Sequence, residues 1–388
     1  MRFRWTILLL GAAAWAAQHP AVEDAWSLLA KGDRPQALRV LKEIIAADPQ
    51  NASARLLLGS VLQEAGDRDG AIAQLKEALR LRPQSAEAHN ALGEAYNAFG
   101  DTAAARSLFE KAVSLDPKFA PARVNLGALL VAAGELEAAA QHLDRAIALL
   151  GRQRDAAYAH YMRAKVYAEQ EDVTNTAAQL QLAVSRRPDY AEAWSDLGDA
   201  RKTLMDDKGA LAALERAVSL APQDSVAQTR LGSLYLAQHQ PHQAVLHLQE
   251  AARLDPQNQT TLYSLQRALR EDGQPAQADE VKKQLGELLH HKDRDDQDLV
   301  TGLELNNQGA ALEKAGDLQG AAEKYRAALA ALPDHVGIRV NYAIALLRLG
   351  RWKEGLAELR DAVRREPDNP LYKAALADAL KQAPPQFR

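Results

Sequence analysis

The sequence contains no cysteine, and aromatic residues make up only 5% of the chain. Without a thiol the chain cannot form disulfide bonds, thiolate metal sites or an acyl anchor on cysteine, and it cannot use cysteine catalysis. Its stability must therefore come from packing alone. Few aromatic residues beside abundant Ala and Leu favour closely packed helices over sheets.

The sequence also lacks a strong excess of charge of one sign, since its formal net charge is −4 at pH 7. This balance gives no electrostatic reason to expect a nucleic-acid partner. Basic pairs do occur, as at Arg186 and Arg187. They lie near the expected ends of helices, where the helix dipole favours a cation. We therefore expect no binding to nucleic acid.

Catalytic motifs are missing too: the sequence has no Walker loop, no G-x-S-x-G elbow and no H-E-x-x-H motif. We expect a chain that is not an enzyme and that needs no cofactor. The alternative is a metal-dependent enzyme that uses the cluster His239, His242 and His247. However, His242 and His247 are five residues apart and point to different faces of a helix.

A second sequence pattern leaves metal binding open as an alternative. The acidic run over residues 293–298, followed by Glu304, has the carboxylate spacing of a calcium-binding loop. That loop needs a glycine at its sixth position for a sharp turn, and this sequence has Asp298 there. A solvated acidic hinge is the better interpretation of the run.

No apolar run reaches the ~20 residues that cross a bilayer. The chain instead begins with Arg2 and Arg4, an apolar stretch over residues 7–14 and a small-x-small site over residues 14–16. This order is typical of a secretory signal peptide. We therefore expect residues 1–17 to be cleaved, leaving an exported chain, periplasmic or secreted, without stable membrane insertion. In the alternative, the segment stays uncleaved and tethers the chain.

Glycine and proline recur at a fixed interval along the chain. The interval is 34 residues for the glycines Gly59, Gly93 and Gly127, for Gly198 and Gly232, and for the prolines Pro188, Pro222 and Pro256. A unit of this length is therefore repeated, and a repeat of 20–50 residues indicates a stacked array rather than one central core.

One unit shows how the repeat would fold. Gly93 and Ala105 remove bulk where two helices would cross, and Phe109 fills the space between hairpins. Gly100 can close the first helix in the left-handed conformation, and Asp101 can cap the second. On these residues the sequence resembles the tetratricopeptide repeat (TPR) family. The resemblance implies an all-α, right-handed superhelical solenoid of about ten TPR helix-turn-helix repeats with a C-terminal capping helix.

Departures from the period predict the domain organisation. From Pro256 to Pro333 the spacing exceeds two periods by nine residues, and the surplus coincides with a polar stretch. We expect five segments: a signal peptide over 1–17, a block of about eight repeats over 18–290 with the last one degenerate, an acidic hinge over 291–298, two further repeats and the capping helix over 299–383, and a tail over 384–388.

The resemblance places an extended peptide or a partner protein in a concave groove lined by the first helix of each hairpin. Asn125 directly precedes the Leu-Gly pair of its repeat, and matching positions in other repeats hold Asn307, Asn341, Asp196 and Arg230. In the TPR protein O-linked N-acetylglucosamine transferase, asparagines at this position bind peptide backbone. Alternatively, an asparagine in a solvated groove makes no specific contact.

The middle of the array varies most and supplies further candidate groove residues. These are Tyr158, Tyr161, Lys165, Asp199, Lys202, Tyr263, Arg267 and Arg270. Tyr and Arg are frequent anchors of binding surfaces, although Tyr161 and Tyr263 could equally pack against the following hairpin. The sequence therefore predicts a non-catalytic interaction scaffold or adaptor, in envelope assembly, secretion or polymer export.

Overall fold

The computed structural model describes residues 22–387, without the side chains of residues 290–296. This part of the chain is all-α, with twenty α-helices, a short 3-10 turn at Pro385–Phe387 and no strand. The helices are α1 (Glu23–Ala30), α2 (Arg34–Ala47), α3 (Ala52–Glu64), α4 (Arg68–Leu81), α5 (Ala86–Ala98), α6 (Thr102–Leu115), α7 (Ala120–Ala132), α8 (Leu136–Leu150), α9 (Ala156–Glu169), α10 (Val173–Arg186), α11 (Ala191–Thr203), α12 (Asp207–Leu220), α13 (Ser225–Ala237), α14 (Pro241–Leu254), α15 (Gln259–Glu271), α16 (Pro275–Lys314), α17 (Leu318–Ala331), α18 (Val336–Arg348), α19 (Trp352–Arg365) and α20 (Pro370–Gln382).

Neighbouring helices pack in pairs, as the sequence predicts. The chain divides into two compact units at Pro256. In the described residues, unit 1 contains seven hairpins, from α1–α2 to α13–α14, and unit 2 contains three hairpins followed by α20. The expectation of about ten repeats and a capping helix is therefore confirmed.

The turn inside each hairpin has the geometry that the sequence predicts. Gly100 has a φ of +88°, which closes α5, and Asp101 Oδ1 accepts a hydrogen bond of 3.0 Å from the backbone N–H of Ala104, which caps α6. Glu171, Met205 and His239 take the glycine position of other turns, with φ values of 57–60°. These three side chains therefore sit in a conformation that favours glycine.

Close approach of the two helices explains the helical glycines. A Cβ atom at Gly93 would lie 2.7 Å from Cε1 of Phe109, and Ala105 and Phe109 are both buried. A core with no room for one methyl group is packed to the density of protein interiors. Each hairpin also packs on the next, because Phe109 shares a cluster with Leu126 and Leu143 of the following hairpin.

The structure differs from the expected hinge at residues 291–298. These residues lie inside α16, a continuous helix of 40 residues that serves as the second helix of one hairpin and the first helix of the next. The physical reason is that residues 291–298 contain neither proline nor glycine, so nothing in this segment forces the helix to end. The surplus of nine residues therefore extends a helix instead of forming an irregular connection.

The C-terminal end of unit 2 is covered by α20. Its Ala379 is buried in a cluster with Leu356 and Leu359 of α19, and Phe387 of the tail packs against the same cluster. No helix within residues 22–387 combines the length and the apolar character needed to cross a membrane. The predicted signal peptide, residues 1–17, lies outside the described residues.

Candidate binding surface on the first helices of the hairpins

Polar side chains on the first helices contact one another in a repeated register. Each first helix carries a small residue where it meets its second helix, such as Gly93 in α5 and Gly127 in α7. The residue two positions before this small residue contacts the first helix of the preceding hairpin. Its partner there lies three positions before the small residue of that preceding helix. The contacting pairs are Asn125 with Asn90, Asp196 with Tyr161, Arg230 with Ser195 and Asn341 with Asn306.

The first pair belongs to an amide cluster that consists of Asn90, Glu94 and Asn125. Asn125 Nδ2 donates hydrogen bonds to Asn90 Oδ1 at 2.9 Å and to Glu94 Oε1 at 2.7 Å. Asn90 Nδ2 donates a third hydrogen bond to Glu94 Oε1 at 3.0 Å. Burial raises the pKa of the Glu94 carboxyl, and the hydrogen bonds from Asn125 and Asn90 only partly oppose this effect. Among the described residues, no cation forms an ion pair with Glu94.

A charged network, the Asp196 network, connects α9, α11 and α13. The Asp196 carboxylate accepts hydrogen bonds from Lys165 Nζ at 2.8 Å, Arg230 Nη1 at 2.8 Å and Tyr161 OH at 3.0 Å. Burial would raise the pKa of Asp196, but the charges and hydrogen bonds of Lys165 and Arg230 outweigh it and hold the pKa below its usual range. Arg230 Nη1 also donates to Ser195 Oγ at 2.8 Å.

Tyrosine rings pack beside the Asp196 network. The ring of Tyr161 stacks on Tyr158 with centroids 6.4 Å apart and lies 5.0 Å from Tyr190. Tyr161 is buried, while its hydroxyl donates to both Asp196 and Glu192. Burial and these two carboxylates raise the pKa of Tyr161. The Tyr161 ring therefore packs inside unit 1, and the half-buried Tyr158 is the member that reaches the surface.

Two predicted residues of unit 1 lie at the edge of the network. Asp199 is exposed, and its Oδ2 is 4.0 Å from Arg230 Nη2. Lys202, one turn further along α11, is also exposed. The structure thus brings Tyr158, Tyr161, Lys165, Asp196, Asp199 and Arg230 into one connected group, with Lys202 near its border.

In unit 2 the predicted residues of α15 do not form such a group. Tyr263 is 62% exposed, so it does not pack against a following hairpin. Arg267 pairs with Glu271 at 2.9 Å and Arg270 pairs with Asp279 at 3.1 Å. These are surface ion pairs within α15 and with the start of α16, and such pairs contribute little to stability.

The asparagines of unit 2 also differ from the expected ladder. Asn341 Nδ2 donates to Asn306 Oδ1 at 3.0 Å, whereas the predicted Asn307 is exposed. Sequence reasoning missed Asn306, Asn90 and the carboxylates Glu94 and Glu192. The available signal was a spacing of 35 residues, one more than the period, which separates both asparagine pairs. Adjacent helices therefore meet one residue out of register.

The three histidines that could have formed a metal site occupy separate environments. His239 lies in the turn before α14, and His242 is an exposed residue of that helix. The Nδ1 atom of His247 is 2.8 Å from Gln228 Oε1, and its ring stacks on Tyr235. In the part of the chain that the structure describes, no three His, Asp or Glu side chains converge as metal ligands. The side chains of residues 293–296, from the possible calcium loop, lie outside that part.

Stacked helical hairpins of this kind define a helical-repeat protein. Two family models described as tetratricopeptide repeat match the chain. One matches residues 96–166 and 312–379, and the other matches residues 23–62, 56–120 and 161–225. Together these matches span well over half of the sequence. The chain therefore belongs to the tetratricopeptide repeat family.

Two solved structures are similar to this chain. A structure titled as a functional characterization of Pseudomonas aeruginosa pilF is 18% identical, with a TM-score of 0.51, and the match covers 54% of this chain and 94% of that chain. PilW, described as a type IV pilus biogenesis factor, is 21% identical, with a TM-score of 0.48 and coverage of 55% and 98%. At 18% identity and a TM-score of 0.51, the likeness to the first of these structures shows the fold alone. No curated protein matches this chain in sequence.

Proposed function

We propose that this chain is a non-catalytic scaffold or adaptor that binds an extended peptide or a partner protein on the first helices of unit 1. Membership of the tetratricopeptide repeat family supports the general role, since such repeats present extended surfaces for binding. The Asp196 network carries the choice of place. In this network Asp196 fixes the charged side chains of Lys165 and Arg230, close to Tyr158, which reaches the surface.

Pre-organisation is the physical reason for favouring this region. Lys165 and Arg230 are fixed by Asp196, so a ligand that contacts them does not have to order two long side chains. Tyr158 and Lys202 add an aromatic face and an exposed cation at the surface. Aromatic side chains surrounded by polar groups are typical of the centres of binding surfaces.

The amide cluster has a different part in this proposal. Both N–H donors of Asn125 are already used by Asn90 and Glu94, so Asn125 has none left for peptide backbone. We assign Asn125 the role of positioning Glu94, whose carboxyl then faces the ligand. Burial raises the pKa of the Tyr158 hydroxyl, and the nearby carboxylates of Glu192 and Glu94 raise it further.

Selection of peptides tests this proposal directly. A displayed library of random peptides would be panned on the chain that lacks residues 1–17, and the selected peptides would be titrated by fluorescence anisotropy. The double variant Tyr158→Ala, Lys202→Ala should weaken binding by about tenfold or more, which is the loss typical of an anchor residue. The matched control is Lys111→Ala, Leu246→Ala, which removes an exposed lysine and an exposed apolar side chain from second helices.

Equal loss in both double variants would place binding elsewhere and overturn the choice of surface. Failure to select any saturable peptide, with folding confirmed by circular dichroism, would count against the peptide-binding role itself. The comparison of the two double variants therefore tests the choice of surface, and the selection of peptides tests the peptide-binding role.

We also propose that the chain acts outside the cytoplasm, in envelope assembly, secretion or polymer export. The support is the order of basic, apolar and small residues over 2–16. N-terminal sequencing of the exported protein tests this step. A start near Ala17 or Gln18 is expected, whereas an intact Met1 on a membrane-bound chain would indicate a tether instead.

A further inference from the structure

The long helix α16 carries an exposed apolar face in the middle of unit 2. Leu289 is 42% exposed, Leu299 is 45%, Val300 is 61% and Leu303 is 40%. At 3.6 residues per turn, these four positions lie within about 60° of one line along the helix. Four large apolar side chains on one face are unusual on a helix surface, where such residues normally occur singly.

The surrounding helices leave one side of this stretch of α16 exposed. Near its beginning α16 pairs with α15, where Asp279 meets Arg270, and near its end it packs on α17, where Gly309 lies against Tyr325. Elsewhere in the described residues a second helix and the next first helix are separated by only four or five residues, as at 82–85 between α4 and α5. In α16 the extra residues stay helical. A Cβ atom at Gly302 would lie 2.5 Å from Leu332, directly after α17, so that side of α16 is packed, whereas Leu299, Val300 and Leu303 lie on its exposed side.

The sequence of this face has a two-fold symmetry. Leu289 and Leu299 lie the same number of residues before and after position 294, and so do Leu288 and Val300, and Leu285 and Leu303. Two antiparallel copies aligned at position 294 would therefore set each apolar residue of one copy opposite an apolar residue of the other. Residue i contacts j and j contacts i, which is the requirement of a closed two-fold interface.

We propose that two copies of this chain associate through this face of α16, as an antiparallel helix pair centred on position 294. The face from Leu285 to Leu303 is about 27 Å long at 1.5 Å per residue. One helix face of this length buries less surface than most stable dimers do, so the association is expected to be concentration-dependent. This inference concerns a surface of unit 2 and is independent of peptide binding by unit 1.

Sedimentation equilibrium of the chain without residues 1–17 tests the association. Across the micromolar range, the average mass should rise from that of one chain toward twice that value. The double variant Leu299→Glu, Val300→Glu should stay at the mass of one chain. The control Leu246→Glu, Leu371→Glu, which changes two apolar residues exposed on α14 and α20, should associate like the wild type. Circular dichroism would confirm that each variant remains helical.

Cross-linking tests the orientation, and the absence of native cysteine removes any background. Differently tagged Leu289→Cys and Leu299→Cys chains are mixed and mildly oxidised. We expect a disulfide between the two tags in clear excess over either chain with itself. A preference of Leu299→Cys for itself would overturn the antiparallel arrangement, and a wild-type chain that keeps the mass of one copy at every concentration would overturn the dimer.

Discussion

The side chain of Asn125 donates hydrogen bonds both to Asn90, 35 residues earlier, and to Glu94 one helical turn beyond Asn90. The two asparagines are buried, and they belong to different hairpins. A hydrogen-bonded amide pair across a repeat boundary fixes how two hairpins stack, because a shift of one residue would leave buried polar groups without partners.

The first prediction follows from this pair. Asn125→Ala should lower the free energy of unfolding by about 1–3 kcal/mol, since Asn90 and Glu94 lose a buried donor. Asn307 occupies the matching position of its repeat but is exposed, so Asn307→Ala should change stability by no more than about 0.5 kcal/mol. Urea unfolding followed by circular dichroism would measure both. Equal effects would show that the amide cluster does not hold the hairpins together.

The second prediction concerns the pH dependence of Glu94. Its folded pKa is raised by burial, so the stability that the protonated carboxyl contributes is present below its unfolded pKa of about 4.3 and is lost as pH rises through the folded pKa. Glu94→Gln keeps an acceptor for Asn125 and Asn90 but does not titrate. The variant should therefore gain thermal stability over the wild type as pH rises from about 4 to 7. A difference in melting temperature that stays constant with pH would contradict this.

The third prediction has the opposite sign. The folded pKa of Asp196 is lowered, so its contribution is present above the unfolded pKa of about 3.9 and is lost as pH falls through the folded pKa. Asp196→Asn should cost about 1.5–3 kcal/mol at neutral pH, the range for hydrogen bonds to charged groups, and less in acid. Thermal melts in one series of buffers would compare it with Glu94→Gln. If the melting temperatures of the two variants, each relative to the wild type, changed with pH in the same direction, the direction of the pKa shift of Glu94 or of Asp196 would be wrong.

Glycines provide the fourth prediction, and α16 contains its control. Gly93→Ala should destabilise the chain by about 1–3 kcal/mol, because the new methyl group would press on the ring of Phe109. A Cβ atom at Gly286 would meet no atom within 4 Å. Gly286→Ala should therefore stabilise by up to about 1 kcal/mol through helix propensity alone. Calorimetry of both variants checks the pair, and destabilisation by both would point to a general effect of the substitution.

The sequence was sufficient to predict the repeat because residues close together in the chain determine the fold of each hairpin. Gly100 and Asp101 encode their turn, and the crossing of Gly93 with Phe109 depends on two positions within one hairpin. The contacts of the candidate surface are of another kind. The network of Asp196 joins three hairpins. The two asparagine pairs are separated by 35 residues, one more than the period, so counting in units of 34 selected Asn307 where the structure uses Asn306.

The acidic run shows a further limit of local patterns. Polarity and surplus length suggested an irregular connection over 291–298, but neither property stops a helix. A helix commonly ends at a proline or at a glycine in the left-handed conformation. The segment contains none of these stops, and α16 continues through it.

The fifth prediction tests that continuity. Asp298→Pro removes one backbone donor and introduces a ring clash in the middle of α16, which should cost about 3 kcal/mol or more and lower the helical signal of unit 2. Asp298→Ala removes the same carboxylate without either effect and should be neutral or slightly stabilising. In an irregular hinge the proline would be tolerated about as well as the alanine. Circular dichroism and urea unfolding of the two variants therefore separate a continuous helix from a hinge, because only the helix makes them differ.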